Sequence, residues 1–167
     1  MNSTTRIQLI DAANNNNGFA IALLGTYLIN SQEDTEAGVN LIILAADAKN
    51  VLWAKNLKLY MRAFNPWELP IHYHALLDSD AREQLENYVA EDDFWAMTIL
   101  GDLLYQGRVV PQDQDTAELL LGRAANLGCL LAKELVDEYG LSTTRAMAAD
   151  ILNKYKTTDN KKFWMLK

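Results

Sequence analysis

The only histidines in this 167-residue chain are His72 and His74, which flank Tyr73. Imidazoles at i and i+2 lie on one side of an extended segment, a spacing that can present two ligands to a metal. A zinc-like set needs a third and a fourth ligand. The nearby sequence adds only the oxygens of Asp78 and Asp80. A metal-dependent enzyme built on His72 and His74 is therefore one reading of three. A second makes residues 65–74 a loop packed over the core through Trp67, Leu69 and Ile71. A third makes them a partner-contacting loop that presents Trp67, His72 and Tyr73, residue types that suit interfaces.

The carboxylates gather as Glu33-Asp34-Glu36, Asp78-Asp80, Glu91-Asp92-Asp93 and Asp113-Asp115-Glu118. Each group lies before or at an expected helix start, where acids cap free N–H groups and complement the macrodipole. The alternative is an electrostatic surface for a cationic partner. No spacing singles out a pair for acid–base catalysis. Cys129 is the single cysteine and sits in an apolar run. It reads as a small buried hydrophobe rather than a reactive thiol, since no histidine is near it in sequence. There is no nucleophile elbow, phosphate-binding glycine loop or dinucleotide fingerprint. The expectation is a protein with no cofactor and no chemistry of its own.

The elements that must position these residues read as about nine helices: 5–13, 19–30, 34–49, 51–63, 79–90, 95–106, 115–126, 129–139 and 142–155. Asn17 can cap the second of them, and Asp113 or Asp115 the seventh, with Glu118 at capping-box spacing from Asp115. Pro66 and Pro70 exclude a regular helix across 65–74. The tail 156–167 ends in Phe163-Trp164-Met165-Leu166. It reads either as a cap docked on a terminal apolar face or as a free recognition peptide.

Small residues recur inside this pattern. Residues 95–132 carry Leu100-Gly101, Tyr105, Gly107, Pro111, Asp113, Ala117, Ala124-Ala125, Gly128 and Ala132. A worn copy at 20–54 keeps Leu24-Gly25 and Ala45-Ala46. Glycine inside a helix costs roughly 1 kcal/mol against alanine, so Gly101 predicts a neighbouring helix too close for a side chain, with Ala124-Ala125 and Ala132 doing the same from the other side. Self-similarity at this period signals stacked repeats.

The stretch 95–132 resembles the Sel1-like repeat, a relative of the tetratricopeptide repeat. It keeps Ala96, Leu100, Gly101, Tyr105, Gly107, Val110, Pro111, Asp113, Ala117, Ala124, Ala125 and Gly128. It departs at Val109, Leu120 and Leu121. In the first copy Gly38 stands where the second helix has alanine, and the turn 30–34 has lost its glycines and is shorter. Gly25 and Gly101 are 76 positions apart by subtraction, room for one degenerate unit between them. The resemblance implies one all-α domain over 1–167, a right-handed α/α superhelix of stacked helix pairs. It also implies that the first helix of each pair lines a concave binding face, which places Tyr27, Asn30, Asp102, Tyr105 and Gln106 there. Tyr27 and Tyr105 read equally well as core.

The formal charge of −7 disfavours nucleic acid and anionic membranes and permits a basic protein partner. Half of the residues are hydrophobic, which fits a globular chain. The first seventeen residues have no signal-peptide pattern, and 19–29 is too short to span a bilayer, so a cytoplasmic protein is expected. The expected function is protein–protein recognition as a scaffold or adaptor. The alternative is a bacterial immunity protein that covers the active site of a toxin.

Overall fold

A computed structural model of the chain describes residues 1–63, 77–106 and 113–144. These residues form eight α-helices and no strand. They are α1 (Ser3–Asn14), α2 (Gly18–Asn30), α3 (Thr35–Asp47), α4 (Leu52–Ala63), α5 (Ser79–Ala90), α6 (Phe94–Gln106), α7 (Gln114–Asn126) and α8 (Leu130–Tyr139). The described residues are all-helical in their regular structure, and each expected helix within them is present with ends shifted by at most two residues. Residues 65–74, Gly107, Pro111 and the tail fall outside the described residues. So does the helix expected over 142–155, apart from its first three positions.

Six of the eight described helices begin where a preceding side chain supplies an acceptor for the orphan N–H groups of the first turn. Asn2 Oδ1 accepts from Thr5, Asn17 Oδ1 from Ala20 and Asp34 Oδ1 from Ala37. Asp78 Oδ1 accepts from Ala81, Asp93 Oδ1 from Trp95 and Ala96, and Asp113 Oδ1 from Thr116. The acidic groups of the sequence are thus capping positions, one per helix. Asp113, not Asp115, caps α7, because only Asp113 precedes the first turn. The turns share a second device: Asn16, Gln32, Asn50 and Asp92 take left-handed backbone angles, φ 67°, 59°, 53° and 64°. α8 ends on Gly140 at φ 66°, where glycine carries no Cβ penalty.

The described residues fall into two compact units, Asn2–Gln84 and the chain from Leu85 onward, with the division inside α5. In the first unit α2 packs on α1 and α3, and α3 on α4. Its interior takes Leu9, Phe19, Ala20, Ile42, Trp53, Ala54 and Leu57. Full burial of the leucine, isoleucine and phenylalanine side chains among them contributes about 1.5–3 kcal/mol each. Trp53 and Leu57 are buried while Leu59 is 60 % exposed. On α1, Leu9 is buried but Ile7 is 67 % exposed. Gln84 fastens the start of α4: its Oε1 accepts from Leu52 N–H at 2.8 Å and its Nε2 donates to Asn50 O at 2.7 Å.

In the second unit α6, α7 and α8 pack in sequence, and α8 also reaches α6. Leu85 and Val89 are buried, and Tyr88 between them in sequence is exposed. Gly101 does mark a close approach, as its cost predicts. The groups across it are Leu121, 2.8 Å from where a Cβ would stand, and Leu120 at 3.3 Å, rather than the alanines. Arg123 of α7 is buried and forms a salt bridge with Asp92.

Candidate functional site

Asp102, Tyr105 and Gln106 occupy one face of α6, since positions three and four apart are neighbours on a helix. The fold brings Tyr139, the last residue of α8, onto this face. The rings of Tyr105 and Tyr139 stack with centroids 3.9 Å apart and planes 10° from parallel. The Tyr139 hydroxyl donates to Asp102 Oδ1. Gln106 Nε2 donates to Asp102 Oδ1 at 3.2 Å and to the Tyr139 hydroxyl at 3.3 Å. All four residues are half-buried.

The polar bonds explain the ring geometry. Phenol rings prefer an offset or edge-on arrangement to a close parallel stack. Here Asp102 and Gln106 hold the hydroxyl end of Tyr139, so its ring lies flat against Tyr105. Burial pushes the Tyr139 hydroxyl well above the ordinary tyrosine range. The negative charge of Asp102 and the hydrogen bond to it act in the same direction, as does Glu138, while donation from Gln106 opposes them. The phenol therefore stays protonated and remains a donor through neutral pH.

The first unit carries a related cluster. The Tyr27 hydroxyl donates to Glu33 Oε1 at 3.1 Å. Arg6 Nη2 pairs with Glu33 Oε2 at 2.7 Å, and its guanidinium carbon lies 5.6 Å from the Tyr27 ring centroid. Tyr27 is half-buried, neither core nor open surface, and Asn30 is exposed on the same helix. Of the residues that the sequence singles out, the structure joins Asp102, Tyr105 and Gln106, places Tyr27 and Asn30 on α2, and leaves Trp67, His72 and Tyr73 outside the described residues. Tyr139 was not anticipated. Its one sequence signal was its place just before Gly140, which read only as a helix end.

Cys129 is buried and unbridged, with Sγ 3.4 Å from Thr98 Oγ1. Burial pushes its thiol up, against smaller opposing hydrogen bonds from Thr98 and the backbone. Among the described residues no group of three His, Cys, Asp or Glu side chains is placed to hold a metal ion. No described helix is long and apolar enough to cross a membrane. No family model, curated protein or solved structure matches the chain.

Proposed function

We propose that this chain is a non-catalytic protein–protein interaction module, a scaffold or adaptor of the Sel1-like kind. In this reading its helix pairs stack as a right-handed α/α superhelix. The observation that carries it is the pre-organised surface of Asp102, Tyr105, Gln106 and Tyr139. Aromatic side chains with satisfied polar tips, fixed on rigid helices, are what interface hot spots are made of. The pairs α2–α3 and α6–α7 support the repeat reading, because each has a glycine at the close approach of its helices. The net charge of −7 favours a basic partner.

The test is co-purification and calorimetric titration with the products of neighbouring genes, using the intact chain and its Tyr105→Ala variant. A partner that binds the intact chain and binds the variant at least about thirtyfold more weakly supports the proposal, since a hot-spot truncation costs about 2 kcal/mol or more. Partners indifferent to Tyr105 would sink the assignment of this face.

The small, acidic chain also fits a second reading, an immunity protein that neutralises a cognate toxin in bacteria. An adjacent toxin gene whose product is bound and neutralised would select it. Absence of protection against any adjacent product removes it. The metal-dependent reading of His72 and His74 predicts stoichiometric metal in the purified protein, and sub-stoichiometric content disposes of it.

A further inference from the structure

We infer that α1 is a releasable cover on α2, latched by Arg6 to Glu33. The inference concerns the fold of the first unit and stands apart from the interaction-module reading.

Its starting point is a likeness inside the chain. α1–α2 and α5–α6 follow one plan, with matched positions 76 apart by subtraction. Asn2 and Asp78 cap the first helix of each pair, and Asn17 and Asp93 cap the second. Asn16 and Asp92 take the same left-handed angle just before those second caps. The cap N–H returns to the same place in both turns, from Asn17 to Ala12 O and from Asp93 to Tyr88 O. Leu9 and Leu85 are fully buried.

Within this shared plan α1 grips less. Ala81 and Val89 of α5 are buried, and the matched residues are Thr5 and Ala13. Thr5 is buried with a hydroxyl that has no hydrogen-bond partner among the described residues, a cost that lifting the helix into water removes. Ala13 is only half-buried and has two carbons fewer than Val89 to bury. Ile7 and Ile10 are exposed. Of the 12 residues of α1, Thr5 and Leu9 are the buried ones.

The helix beneath is closed to water on every side. Phe19 to Thr26 of α2 are buried without a break, a run of more than two turns. α3 meets this helix at Gly25, and α1 packs on it as well. Lifting α1 therefore bares apolar surface of α2 while the α2–α3 contact stays intact. The latch is polar and part-exposed. Arg6 Nη2 meets Glu33 Oε2 at 2.7 Å in the turn after α2, and its guanidinium lies over the Tyr27 ring. Such a pair contributes little and weakens with salt, yet a helix with so small a buried face is sensitive to a contact of that size.

The experiment is native-state hydrogen exchange of the full-length protein at about 0.05 M and about 0.5 M sodium chloride. Amides from Ile7 to Ala13 are expected to share one level of protection, at least about tenfold below that of α2 and α3. Thr5→Val keeps the side-chain shape and removes the hydroxyl. It should slow exchange in α1 about tenfold and leave α7 unmoved. Arg6→Gln should speed exchange in α1 about threefold. Salt should speed it in the unaltered chain and have less effect in Arg6→Gln. Thermal melts establish that each variant is folded. Should Thr5→Val not fold, Arg6→Gln and the salt comparison decide alone.

Exchange of α1 in step with α2 and α3 would make them one cooperative body and overturn the inference. Protection that climbs steadily from Ile7 to Ala13 would mean fraying from one end, which also overturns it. So would a Thr5→Val variant whose α1 exchanges as before, or a salt response that Arg6→Gln leaves whole.

Discussion

Gly25 and Gly38 face each other across α2 and α3. A Cβ on Gly25 would stand 2.8 Å from the carbonyl oxygen of Gly38, and one on Gly38 would stand 2.7 Å from that of Gly25. The two helices meet backbone to backbone, so Gly38, which looked like a worn repeat position, is the counterpart of Gly25.

Alanine at either position therefore destabilises the first unit. It gains roughly 1 kcal/mol of helix preference, but overpacking against main chain that cannot retreat costs about 1–3 kcal/mol. A net loss of up to about 2 kcal/mol is expected in urea unfolding for Gly25→Ala and for Gly38→Ala. Gly101→Ala meets only leucine side chains and should cost less than half as much. If Gly101→Ala proves the most damaging of the three, the contact geometry is being misread.

Gln32 has φ 59°, a conformation in which a branched Cβ environment costs energy and glycine does not. Gln32→Gly should raise stability by about 0.5–1 kcal/mol, the relief of left-handed strain less the added freedom of the unfolded chain. A lower thermal midpoint for the variant would contradict this.

The raised Tyr139 hydroxyl gives stability an alkaline limb. The group holds its proton in the folded state to higher pH than the ordinary value of 10.0. Above that value the unfolded state binds fewer protons, so stability falls as pH rises. Stability should be flat in this respect through neutral pH and decline as pH passes about 10. Tyr139→Phe should lose about 1 kcal/mol at neutral pH and flatten that decline. Chemical denaturation across the alkaline range, beside tyrosinate absorbance, measures both. An unchanged limb in the variant would assign the effect to another group.

Cys129 should be inert in the folded protein. Its thiol is buried and disfavoured as thiolate, so an aromatic disulfide reagent should modify it only as fast as the second unit opens. Mild denaturant should accelerate the reaction steeply. A rate like that of a free thiol in native buffer would show that the packing around Thr98 is wrong.

The helices were legible because their punctuation is local. Asn17, Asp34, Asp113 and Gly140 mark ends by chemistry that acts within a few residues. Faces were less legible. On α4 the apolar residues cover a wide arc that includes both Trp53 and Leu59, and only packing shows that Trp53 goes inward and Leu59 outward. The site was half legible. Asp102, Tyr105 and Gln106 follow from the repeat pattern, but Tyr139 lies 37 residues from Asp102, and no local rule joins them. The Gly25–Gly38 contact was hidden for the same reason: a glycine in a degenerate repeat looks like decay until its opposite number is known.

The single amide of Gln84 holds both Asn50 and Leu52. It ties the start of α4 to α5, as a clip would. Replacing that one side chain strands a donor and an acceptor together, the Leu52 N–H and the Asn50 carbonyl. The N-terminal end of α4 thus depends on a residue that lies beyond its own helix.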